Sequence, residues 1–341
     1  MGTKAWWSEP GPETVAPGVH RIPLPLPTDS LRAVNVYVVE SPEGLVVVDS
    51  GWAVPEDTVA LSAGLQKLGF SLGDITRFLV THMHRDHYTH GIMIRREFGI
   101  RVSLGIGERD SLTVISDPTR PVLSFRTQQL RLFGAPDIAE ELAIEVGAVI
   151  AEQVPYWEQP DDWLRDGQRI DVGARALDVV STPGHTVGHV VFVDAADSLL
   201  FAGDHVLPEI TPSISLELVD PPNPLGAFLE SLALVRAMPD RRLLPAHGPV
   251  ADSVHARVDE LIAHHGRRLE DTEKAVAAGR STGLEIAMAL RWTRRETPFN
   301  DLDVFNKALA VGETASHLAL LVAQKRLRME ELDGVRRWSL A

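Results

Sequence analysis

One short segment constrains this chain more than any other: Thr81-His82-Met83-His84-Arg85-Asp86-His87. It packs three imidazoles and a carboxylate into six positions. At this composition such a pattern arises by accident in roughly one sequence in a thousand. The run Arg77–Thr81 before it predicts a strand, and Ile92–Phe98 after it predicts a helix. Alternate residues of an extended chain share a side. His82, His84 and Asp86 are therefore expected to line one face, with His87 turned aside as the helix begins. One segment could then feed two neighbouring metal ions. The chain has no cysteine. That excludes disulfides, thiolate metal sites and cysteine nucleophiles, and leaves histidines and carboxylates as the donors for any transition metal.

Three more candidates follow, each expected at the end of a strand. His185 lies in Ser181-Thr182-Pro183-Gly184-His185-Thr186-Val187-Gly188-His189, Asp204 in Phe201-Ala202-Gly203-Asp204-His205, and His247 in Leu244-Pro245-Ala246-His247-Gly248-Pro249. Singly, a histidine after a strand is weak evidence. In this order, downstream of the His82 segment, the three carry weight together.

Apolar, β-branched runs at Val19–Ile22, Val34–Val39 and Leu45–Val48 predict strands, the last two paired across Glu43-Gly44. Residues 55–68 carry helical periodicity. Strand signals thin out between Glu108 and about Val154, where Phe125–Phe133 and Ile138–Ile150 read as helices. Strands resume at Gln168–Asp171, Arg175–Ser181, Val190–Val193, Leu199–Ala202 and Arg242–Leu244, with a helix over Leu225–Ala237. After Pro249 helices are expected at Ser253–Ala278, Leu284–Arg291 and Asp301–Lys325, then a hairpin turning at Asp333-Gly334. The expected organisation is a loose lead-in over 1–18, a main domain over 19–251 with a helical insertion at about 108–154, and a small winged-helix-like module over 252–341.

The formal net charge is −14. From Asp252 to the end the acids and bases number 14 each, so the whole excess sits in the first 251 residues, with 33 acids against 19 Lys and Arg. An acidic main domain repels polyanions, and the balanced C-terminal part shows no basic patch. Nucleic acid is therefore a disfavoured partner. The expected role of the C-terminal part is protein packing or homodimer formation. The N-terminus has no long apolar core and no later stretch has the length of a membrane span, so a cytoplasmic protein with no membrane partner is expected.

The ordered motifs, with Val48-Asp49-Ser50-Gly51 upstream, resemble the metallo-β-lactamase superfamily, and its glyoxalase II-type and lactamase-like hydrolases in particular. The resemblance covers about residues 19–250. A lactamase-like subgroup carries a C-terminal winged-helix module, which fits residues 252–341. The resemblance implies an α+β fold, a four-layer αββα sandwich with two divalent metal ions at one edge. It assigns His82, His84 and His185 to one ion and Asp86, His87 and His247 to the other, with Asp204 between them. It places Asp49 behind a ligand imidazole. Zinc suits such N/O ligation, and iron or manganese fits too. Two cations lower the pKa of a bridging water, which then attacks an electrophilic carbonyl or phosphorus. Asp86 is the candidate to accept the water's proton.

The chain departs from the family's usual Asp-His-x-Gly-Gly by reading Asp86-His87-Tyr88-Thr89-His90-Gly91. Tyr88, His90, His205 and Trp157 are accordingly candidates to line a substrate pocket. The apolar helical insertion is expected as a cover for an acyl chain. The preferred reaction is hydrolysis of an ester, thioester or lactone in a small-molecule acyl substrate. An endoribonuclease or phosphodiesterase is the alternative, followed by a mononuclear iron sulfur dioxygenase.

Overall fold

The computed structural model describes residues 6–26, 31–117, 119, 123–147, 154–214, 219, 223–293 and 295–341. The first sheet has seven strands in the order β1 (Glu13–Ala16), β2 (Val19–Pro25), β3 (Ala33–Ser41), β4 (Gly44–Val48), β5 (Ile75–Val80), β6 (Arg101–Gly105) and β7 (Asp162–Leu164). It is antiparallel from β1 to β4 and parallel from β4 to β7. The second sheet has five, in the order β12 (Arg242–Pro245), β11 (Leu199–Gly203), β10 (Val190–Asp194), β9 (Arg175–Ser181) and β8 (Arg169–Val172).

Strand alternation builds the layers. Along β3, Tyr37 and Val39 join the core between the sheets, while Val34, Val36 and Val38 join the core under the helices. Along β4, Val46 and Val48 face the other sheet, and Leu45 and Val47 the helices. Along β10, Val190 and Phe192 lie between the sheets, and Val191 and Val193 face outward onto helices. Successive side chains point to opposite faces, so strands apolar throughout must be covered on both sides. Helices α1 (Pro55–Lys67) and α2 (Arg85–Phe98) cover the first sheet, with Leu61, Leu65 and Ile92 buried against it. Helices α6 (Pro224–Ala237) and α7 (Val254–Ala277) cover the second. The result is the expected αββα sandwich.

The insertion contributes α3 (Arg109–Ile115), α4 (Ser124–Leu132) and α5 (Pro136–Glu145). The expected helix to Ile150 is seen to Glu145, and residues 148–153 lie outside the described residues. The C-terminal part forms α8 (Gly283–Ala289), a two-residue pair β13 (Arg291–Trp292) and β14 (Thr297–Pro298), α9 (Val304–Ala323) and the hairpin β15 (Leu327–Leu332) with β16 (Val335–Leu340). Its elements follow the sequence expectation, but its packing is not that of a free-standing module. Leu130, Phe133 and Leu142 of the insertion, Leu232 of α6, and Leu318, Leu321 and Trp338 of the C-terminal part share one apolar core with the second sheet. Among the described residues, no helix is long and apolar enough to cross a membrane.

Candidate metal centre

β4, β5, β9, β11 and β12 end at the same edge of the sandwich, and each delivers a polar residue just beyond its last paired position. These are Asp49, His82, His185, Asp204 and His247. Loops at the carboxyl ends of strands are where α/β sheets place their sites. Asp86 and His87 arrive differently. Helix α2 begins at Arg85, with His84 as its N-cap. The expected strand-like alternation therefore stops at His84, and Asp86 is presented by the first helical turn instead.

Two clusters result. His84 Nδ1 lies 2.9 Å from His82 Nε2 and 3.1 Å from His185 Nε2. One ring nitrogen carries one proton or one lone pair, so it cannot satisfy both neighbours by hydrogen bonding. In the second cluster, Asp86 Oδ2 lies 3.6 Å from His87 Nε2 and 3.4 Å from His247 Nε2. Asp204 spans the pair. Its Oδ2 is 3.5 Å from His185 Nε2, while its Oδ1 is 3.7 Å from His87 Nε2 and 3.4 Å from His247 Nε2. The nitrogens His84 Nε2, His87 Nε2 and His247 Nε2 and the oxygen Asp204 Oδ1 are buried without a hydrogen-bond partner.

The outward nitrogens fix the tautomers. His87 Nδ1 faces Asp49 Oδ2 at 3.1 Å, His185 Nδ1 faces the Ser213 carbonyl at 2.6 Å, and His247 Nδ1 faces the Ala33 carbonyl at 2.8 Å. These oxygens only accept, so each Nδ1 donates and each Nε2 can turn a lone pair inward. Converging lone pairs and carboxylate oxygens, several of them buried without a partner, are the donor set of a divalent cation. The residues fit a divalent metal ion.

The electrostatics agree. Burial, reinforced by neighbouring imidazoles, holds His82 and His84 well below the usual histidine pKa. Burial also acts to lower His87, but Asp86, Asp49 and Asp204 outweigh it and push it up to about 10. Burial alone would raise Asp86, yet His87 and His247 hold it below the ordinary carboxylate range. Left to themselves, the carboxylates of the second cluster draw in positive charge.

The four residues expected to line a pocket are interior side chains. Tyr88 is fully buried in the core under the first sheet and donates its hydroxyl to the Glu158 carbonyl. His90 Nδ1 donates to the Ser50 carbonyl, while its Nε2 meets Thr58 Oγ1. With Thr89, whose Oγ1 accepts from the Ala53 amide, it ties α2 to the Asp49–Trp52 turn and to α1. Thr89 and His90 thus replace the family's glycines with fastenings. Trp157 is 5% exposed, and its indole donates to the Met83 carbonyl, bracing the His82–His84 loop. His205 is fully buried between His189 and Phe228.

Further groups position these side chains. Asn35 Nδ2 donates to the Pro245 and Gly248 carbonyls on either side of His247. His189 Nε2 accepts from the Asp204 amide. Buried Glu108 accepts from Thr186, next to His185, and burial raises its pKa to about 7. Glu313 of α9 accepts from the Ile214 amide, and Ser316 donates to the Ile214 carbonyl. Ile214 follows Ser213, whose carbonyl receives His185. Only partners far away along the chain reveal such roles.

Comparison with known proteins agrees with this geometry. The family model described as the metallo-beta-lactamase superfamily matches residues 29–247. An atrochrysone carboxyl ACP thioesterase of Cryptosporiopsis sp. (strain 8999) is 24% identical over 91% of this chain and 80% of its own length. A probable metallo-hydrolase of Bacillus subtilis (strain 168) is 24% identical over 90% of this chain and 92% of its own. Among solved structures, a metallo-beta-lactamase family protein from Thermus thermophilus aligns with a TM-score of 0.82 at 26% identity, covering 96% of this chain and 100% of the other. A beta-lactamase domain protein from Burkholderia ambifaria aligns with a TM-score of 0.77 at 27% identity, covering 97% and 95%.

Proposed function

Because the chain belongs to the metallo-β-lactamase superfamily, we propose that it is a dinuclear metal-dependent hydrolase acting on an ester or thioester carbonyl. His82, His84 and His185 would hold one ion, Asp86, His87 and His247 the other, and Asp204 both. The observation that carries this reading is the placement of Asp204, with one carboxylate oxygen turned to each cluster. Divalent ions bound there supply Lewis acidity and a water acidic enough to react near neutral pH. Zinc, iron or manganese suits an all-imidazole and carboxylate set.

The chain's own residues do the rest. Asp49 holds His87 in one tautomer, the Ser213 carbonyl does so for His185, and the Ala33 carbonyl for His247. In the reaction the water oxygen bonds to the acyl carbon, the carbon–sulfur or carbon–oxygen ester bond breaks, and the thiol or alcohol leaves with a proton. Similarity to a thioesterase over most of both chains supports a thioester substrate.

The test pairs Asp204→Ala with a substrate panel. Acyl-coenzyme A and acyl-glutathione should be hydrolysed by the wild type, with the variant at least ~10³-fold slower. Full activity of the variant would refute the bridging role. Cleavage of single-stranded RNA without thioester hydrolysis would refute the carbonyl target.

A further inference from the structure

We propose that the cavity bordered by α4, α9 and the C-terminal hairpin receives the apolar acyl chain of the substrate; this rests on the hydrolase reading above and adds the substrate class. The cavity measures about 340 Å³, and its walls include Phe125, Leu130, Phe133, Ile214, Ala315 and Trp338. Small-molecule sites begin at about 300 Å³ and are mostly apolar with a few polar groups. This space has both properties, its charged groups being Arg126 and Arg336.

None of the seven clustered residues lines the cavity. One feature joins it to the metal centre, a shared wall. The Ser213 carbonyl accepts from His185, and the next residue, Ile214, lines the cavity. Glu313 and Ser316 of α9 hold that wall by both backbone groups of Ile214. A carbonyl at the histidines and an alkyl or aryl chain in the cavity belong to one extended acyl group reaching around this wall. The three elements come from the insertion and the C-terminal part, which gives both a role in substrate choice.

The experiment compares acetyl-, octanoyl- and dodecanoyl-coenzyme A hydrolysis by the wild type and by Ala319→Phe, which fills the cavity from half-buried Ala319 of α9. Calorimetric titration with dodecanoate runs beside it. Each buried methylene should raise kcat/KM by up to about fourfold until the cavity is full. Ala319→Phe should lose at least ~10-fold on the dodecanoyl substrate and stay within about twofold on the acetyl one. Dodecanoate should bind the wild type and not the variant. An equal chain-length slope in both proteins, or undiminished dodecanoate binding by the variant, overturns the proposal. If no thioester or ester is turned over, the hydrolase reading fails, and the dodecanoate titration alone decides the cavity. Should Ala319→Phe fail to fold, Phe125→Ala serves instead. It should shift the preference towards chains longer than the wild type favours, and an unmoved optimum contradicts the proposal.

Discussion

Asp49 sits at a positive φ of 61°, a conformation that few residues other than glycine adopt and that aspartate tolerates better than most. Its Oδ1 accepts from the Thr81 amide, just before His82, and its Oδ2 faces His87 Nδ1. One carboxylate thereby aligns both halves of the His82–His87 segment. Removing such a partner of a ligand imidazole typically costs ~10–100-fold in metal affinity. Asp49→Ala should lose at least that in chelator competition; unchanged affinity would remove Asp49 from the account. Gly184, just before His185, has φ 137°, and a Cβ there would lie 2.4 Å from the Phe228 Cα. Gly184→Ala must push α6 or the His185 loop aside, so it should lower both Tm and metal content. Asp57 is buried, which pushes its pKa up to about 8, while a hydrogen bond from the Trp52 amide acts the other way. A raised carboxyl pKa means that the folded state keeps a proton the unfolded chain has shed. Its stability contribution is therefore present below the unfolded value near 4 and is lost as pH rises towards 8. Asp57→Asn should lose less stability than the wild type between about pH 5 and pH 8 in denaturant titrations. An identical pH dependence would contradict this.

At the scale of elements, the His82–His87 cluster was legible because its residues are neighbours in sequence. His185, Asp204 and His247 were legible because each follows an apolar run. The end of a strand is a local property. The start of α2 was not read correctly, since His84 caps a helix that begins within the motif rather than after it. Glu108, Asn35 and Glu313 were not legible, because their roles lie in contacts 78, 210 and 99 positions away. Tyr88 and His90 were misread as substrate-facing because a departure from a family pattern carries no direction. Here it points into the core. Glu313 allows a test. Glu313→Gln keeps an oxygen that can accept from Ile214, whereas Glu313→Ala does not. The alanine variant should weaken metal binding in chelator competition and the glutamine variant should restore it. Equal loss in both would assign Glu313 a different role.

At the scale of the molecule, one apolar core runs from the second sheet through the insertion to the C-terminal hairpin. The sequence shows where the helices lie but not that they share a core, since composition on either side of Asp252 says nothing about packing across it. A shared core predicts one cooperative unfolding transition, with far-UV dichroism and tryptophan fluorescence coinciding. Two separated transitions would make residues 252–341 a distinct unit. The same architecture places the candidate metal centre at one edge of the sandwich, fed from both sheets, with Asp204 between the two clusters. The most direct measurement is metal content against activity, as the chelated protein is titrated with zinc and followed by elemental analysis and thioester hydrolysis. The account predicts about two ions per wild-type chain, with activity complete only when the second is bound, and a lower stoichiometry in Asp204→Ala. Full hydrolytic activity in wild-type protein that holds no metal would contradict it.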